Sequence, residues 1–157
     1  MSRDAPAGSP RRVVLDTNVV LDWLQFRDLR VAGLAAALLD GRALALTDSR
    51  CFAELERVLA YPAFALDRAA RAELMRQYHA CVADAGITGA VDVSHLPRCS
   101  DHEDQKFLEL AWCTGADLLT RDKALLDLSG RFAKFGGGRI CRPEECFPDL
   151  LSSIRLA

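Results

Sequence analysis

At 157 residues the chain is long enough to bury a core without cross-links, and its length fits a single domain. Half of its residues are apolar and 27% are charged, the mix of a globular protein. The net charge of −2 excludes a protein that holds nucleic acid through an overall basic surplus, so any polyanionic substrate must be drawn in by local cations or bound metal.

Residues 1–10 (MSRDAPAGSP) read as a disordered tail, leaving 11–157 for the fold. Arg11 to Asp16 (RRVVLD) is a β-branched run ending in an acid, a first buried strand. Asn18 to Phe26 and Leu29 to Asp40 show helical spacing, and Gly41 stops the second helix. Ala43 to Thr47 (ALALT) is a second strand. Ser49 is placed to cap the next helix, which ends near Tyr61, before Pro62. Asp67 caps a helix on which Ala70, Leu74, Tyr78 and Cys81 recur three or four apart, with Gly86 as its stop. Ala90 to Val93 supplies a third strand, and Ser100 or Asp101 caps a helix to about Thr114. Asp117 to Thr120 (DLLT) is a fourth strand, followed by a short helix from Asp122. Gly136 to Gly138, a flexible connection, leads to a last strand, Arg139 to Cys141. Pro143 to Phe147 and Leu150 to Leu156 form short closing helices. Short apolar strands alternating with amphipathic helices predict an α/β fold, a three-layer α/β/α sandwich around a central parallel sheet.

No stretch approaches the ~20 apolar residues of a membrane span. The first ten residues lack the apolar core of a leader, which points to a cytoplasmic location. The cysteines at 51, 81, 99, 113, 141 and 146 lack zinc spacing. Cys51 and Cys113 fall on apolar helix faces, so reduced structural thiols are expected.

In parallel sheets ligands bind at the carboxyl ends of the strands. Asp16 closes the first strand; Asp48 follows the second, with Glu54 one and a half turns into its helix. Asp101, Glu103 and Asp104 open the helix before the fourth strand, and Asp122 follows that strand. At about 100° per residue, Asp104 shares a face with Phe107, Leu108 and Ala111, whereas Lys106 and Glu109 point elsewhere. An acid on a core-facing position is costly unless paired or bound to metal. Glu54, beside Cys51, Leu55 and Val58, lies at the edge of its stripe. Taken singly, Asp16, Asp101, Asp104 and Asp122 are equally well explained as helix caps, and Glu54 as a partner of Arg50 or Arg57. Together, two of them turned inward, they outrun that explanation.

The segments VVLDTNVVLDWL (13–24), AELERVLAYPAF (53–64), SDHEDQKFLELAWCTGADLLTRDKALL (100–126) and RICRPEECF (139–147) resemble the PIN-domain proteins, most closely a bacterial branch of toxins from toxin–antitoxin pairs. The resemblance spans roughly positions 12 to 147. It implies a Rossmann-like sheet and a metal-dependent ribonuclease whose four acids are Asp16, Glu54, Asp104 and Asp122, catalytic and metal-binding alike. It further implies supporting roles for Asn18, Thr120 and Asp101. In that branch a proline stands where this chain has His102, which weakens the case for Asp101.

Four carboxylates without histidine or thiolate suit Mg²⁺ or Mn²⁺ rather than zinc. Such an ion admits a phosphodiester to an acidic pocket and activates water for its hydrolysis. The partners implied are an RNA substrate, a small antitoxin protein covering the pocket, and a second copy in a homodimer; a membrane is not among them. Arg27, Arg30, Arg121, Lys123, Arg131 and Lys134 are candidate phosphate contacts but fit a solvated face better. His79, His95 and His102 have no metal spacing. The competing readings are a Mg²⁺-dependent phosphatase, which needs a second acid where Asn18 stands, and a non-catalytic RNA- or protein-binding module of the same fold, from which acids would have been lost.

Overall fold

A computed structural model describes residues 8–148. Residues 1–7 of the predicted 1–10 tail and the closing helix over Leu150 to Leu156 lie outside the described residues. Strands β1 (Arg11–Leu15), β2 (Ala43–Thr47), β3 (Val82–Asp84), β4 (Asp117–Leu119) and β5 (Ile140–Cys141) form a parallel five-stranded sheet in the order β3-β2-β1-β4-β5. Helices α1 (Thr17–Leu24), α2 (Ala32–Leu39), α3 (Ser49–Leu59), α4 (Arg68–Cys81), α5 (Gln105–Thr114), α6 (Lys123–Leu126), α7 (Ser129–Lys134) and α8 (Pro143–Cys146) flank it. This is the expected α/β/α sandwich.

The period-two alternation of a strand divides the core. Val13 and Leu15 of β1 face a layer containing Val19, Leu34, Leu55 and Tyr78, while Val14 between them faces Leu108, Leu118, Leu125 and Phe132. Both faces of β1 are therefore covered, which is why it reads as a continuous apolar run. Fully burying a Leu or Phe such as Leu34 or Phe132 contributes ~1.5–3 kcal/mol. Helix α3 joins the two layers, since Cys51 packs into one and Leu55 and Leu59 into the other. Its Glu54 is thereby carried over the carboxyl edge of the sheet.

The third strand lies at Val82–Asp84, and residues 90–93 carry none. Helix α4 runs straight into β3, whose residues pair with Ala45, Leu46 and Thr47 on the open edge of β2. Gly86, at φ 65°, then turns the chain away before the predicted stretch arrives. Asp48 rather than Ser49 caps α3, accepting from the Cys51 N–H at 2.9 Å. Asp67 caps α4 as expected, accepting from the Ala70 N–H.

The glycine run is a packed contact and not a flexible connection. A Cβ on Gly137 would lie 2.6 Å from the Phe132 ring, and one on Gly138 would lie 2.7 Å from Asp117 Oδ1 and 2.8 Å from the Ala116 carbonyl. The six reduced thiols also need correction. α8 folds back so soon after β5 that Cys141 and Cys146, 6.8 Å apart at Cα, form a disulfide, while Cys51, Cys81, Cys99 and Cys113 are free.

Candidate metal centre

Asp16 leaves β1 with only 3% of its surface exposed. Its Oδ1 accepts the Asn18 N–H at 3.2 Å, capping α1, and its Oδ2 accepts the Thr120 hydroxyl at 2.7 Å. Thr120, wholly buried just past β4, also accepts the Asp122 N–H at 3.0 Å. Asp122 in turn caps α6 through the Ala124 N–H at 2.9 Å. One hydroxyl thus ties the ends of two adjacent strands together. The cap readings of Asp16 and Asp122 are correct, yet they leave acceptor capacity, because each carboxylate oxygen has two lone pairs.

Asp104 differs from both. It stands at the N-terminus of α5 and makes no capping bond, while Phe107, Leu108 and Ala111 beyond it are buried as the helical spacing predicts. Its carboxyl is pushed up to about 8, first by partial burial, then by a hydrogen bond with the Asp122 carboxyl, then by the charges of Asp16, Asp122 and Asp101. Burial likewise raises Asp16, against the lowering bonds from Thr120 and Asn18 and with the charges of Asp122 and Glu54 adding to it. Among the described residues, none of Asp16, Asp104 and Asp122 pairs with a Lys, Arg or His side chain.

That donor set fits a hard divalent cation: all oxygen, mutually repelling, and without a counter-charge of its own. Among the described residues, no three Asp, Glu, His or Cys side chains form a preassembled metal cage.

Glu54 is buried and not a surface partner of Arg50, which pairs instead with Asp48 and Glu109. The Thr17 hydroxyl donates to Glu54 Oε2, and Lys106 Nζ lies 2.5 Å from Oε1; Arg57 is more distant, at 3.9 Å. Sequence reasoning missed Thr17 and turned Lys106 away. The direction of its Cβ misleads because the lysine stem bends back, its ammonium also donating to the Glu103 carbonyl. The visible signal was proximity: Thr17 adjoins Asp16, and Lys106 follows Asp104 by two.

The supporting residues separate. Thr120 is central. Asn18 contributes its backbone N–H while its side chain is exposed, and Asp101 is an exposed cap for the 3-10 turn. Asp48 lies apart, lining an open cavity of about 380 Å³ with Arg50, Asp84 and Glu109. Of the basic candidates, Arg30 pairs with Asp28, Arg121 with Asp22 and Glu144, and Lys123 with Asp127.

The ends of the adjacent parallel strands β1 and β4 thus carry Asp16 and Asp122, with Asp104 hydrogen-bonded to Asp122. The PIN domain family model matches residues 12–124, which include all four acids, and the chain belongs to the PIN domain family. Members of that family are generally metal-dependent nucleases that use divalent ions such as Mg²⁺. No curated protein matches the chain. Among the described residues, no helix is long and apolar enough to cross a membrane.

Proposed function

We propose that the chain is a Mg²⁺- or Mn²⁺-dependent ribonuclease, and that it serves as the toxin of a type II toxin–antitoxin pair in the cytoplasm. The observation that carries the enzymatic reading is the uncompensated trio Asp16, Asp104 and Asp122, which would hold the ion. When bound, the ion would activate a water and screen the phosphate charge. Thr120 fixes the spacing of Asp16 and Asp122, and Glu54, held by Thr17 and Lys106, is the group placed to orient the attacking water or bind metal. A 5′-phosphate and a 3′-hydroxyl would result from in-line attack.

The toxin reading rests on the resemblance of the DTN, KFLELA and LLTRD segments to that branch. A small antitoxin would act by covering the acidic pocket. Purified protein should cleave a mixed RNA pool with Mg²⁺ or Mn²⁺, not with EDTA, and Asp104→Ala should be inactive. A folded protein that neither binds metal nor cleaves would overturn the reading in favour of a binding module. Growth arrest on expression, relieved by the product of the neighbouring gene, tests the toxin role.

A further inference from the structure

The site is divided in its charge. Asp16, Asp104 and Asp122 have no cationic partner among the described residues, whereas Glu54 has one built in. Lys106 Nζ lies 2.5 Å from Glu54 Oε1 and 2.5 Å from the Glu103 carbonyl, with 3.7 Å to Glu103 Oε2. Its side chain is only 14% exposed, and that of Glu54 9%. The Thr17 hydroxyl takes the other Glu54 oxygen, so both carboxylate oxygens already have donors.

We infer that Lys106 is a tethered cation standing in for a second metal ion, so that the site binds one divalent ion per chain. This rests on the nuclease reading above and deepens it. Paired-metal sites place their ions ~3.5–4 Å apart across shared carboxylates. Here Glu54, the fourth acid and near enough for its charge to raise Asp16, is occupied by an ammonium anchored on the helix that begins beside Asp104. A lysine supplies a compact point charge and three donors, enough to hold Glu54 and the Glu103 carbonyl together. Lys106 is therefore a positioning residue for Glu54: it fixes that side chain before any ion arrives and denies the place to a second one.

Calorimetric titration with Mn²⁺, alongside electron paramagnetic resonance of the bound ion, tests this. The wild-type chain should take one ion with an uncoupled Mn²⁺ signal, and Lys106→Met should take two with spin coupling between them. Lys106→Gln, one atom shorter and uncharged but still a donor, serves where the methionine variant does not fold. Two ions in the wild-type chain would overturn the inference while leaving the nuclease reading intact. So would either folded variant binding a single ion with unchanged affinity. Absence of metal binding together with absence of RNA cleavage would overturn both.

Discussion

The Thr120 hydroxyl donates to Asp16 Oδ2 at 2.7 Å and accepts from the Asp122 N–H at 3.0 Å, so one fully buried side chain sets the spacing of two acids from different strands. Thr120→Val keeps the shape and removes both bonds, leaving a buried carboxylate oxygen and a backbone N–H unsatisfied. Denaturant unfolding should show a loss of ~1–3 kcal/mol, which Thr120→Ser should largely restore. Asp16, deprived of the donor that lowers it, should titrate higher still in the valine variant.

Stability without metal should fall with rising pH. The Asp104 carboxyl is raised in the folded chain to about 8 from an unfolded value of 3.8, so the folded state retains a proton that the unfolded state releases. Its contribution is complete below the unfolded value and is lost as pH climbs through that window. Each pH unit costs at most ~1.4 kcal/mol, less here because Asp104 is only partly buried and solvent screens it. Thermal melts with EDTA from pH 4 to 8 read the slope directly. Saturating Mn²⁺ should oppose the loss, contributing ~2.7 kcal/mol at one hundred times its Kd.

Asp104→Asn should separate stability from activity. The amide cannot ionise beside Asp122 and Asp16, so metal-free protein should be more stable than wild type near pH 8 and its pH slope flatter. Metal affinity should fall by at least ~100-fold, since even outer partners of metal ligands are worth 10–100-fold. Melting and titration of the same preparation check both halves; a variant destabilised at pH 8 would contradict the repulsion described for the site.

Gly138→Ala should destabilise the fold. Its Cβ would meet Asp117 Oδ1 at 2.7 Å and the Ala116 carbonyl at 2.8 Å, neither of which can retreat easily. Asp117 is held by Arg11, its Oδ2 2.8 Å from the guanidinium, and accepts the Arg139 N–H. A loss of ~1–3 kcal/mol is expected from such overpacking, measured by denaturant midpoint, and Gly130→Ala, with open space around it, should show none of it.

Where hydrophobic period and turn chemistry agree, the sequence was a sufficient guide. Val13–Leu15, Ala43–Thr47 and Asp117–Leu119 are short apolar runs between clear stops, and they are the three strands at the middle of the sheet. β3 was hidden because it has only three residues and follows α4 without a loop, so nothing local marks the change of period. The disulfide depends on where α8 returns, which spacing alone does not reveal. At the site, Asp16 and Asp122 were visible as strand ends and Asp104 as an acid on an apolar face. Lys106 was not, because a flexible four-carbon stem decides its position rather than the direction of its Cβ. The ion pair of Arg121 with Asp22 and Glu144 was equally invisible, joining residues from α1, the loop after β4 and α8 that only the tertiary fold assembles.

The strand order has a consequence for how such a chain can change. Because β1 is central, β2 and β3 lie on one side of it and β4 and β5 on the other, and such a switch point forms a crevice in parallel sheets whatever side chains line the rim. The cleft is thus a product of threading, while the acids are replaceable occupants. A descendant could exchange every carboxylate, lose its chemistry, and still inherit a groove of the same shape in which to hold a nucleic acid or a protein.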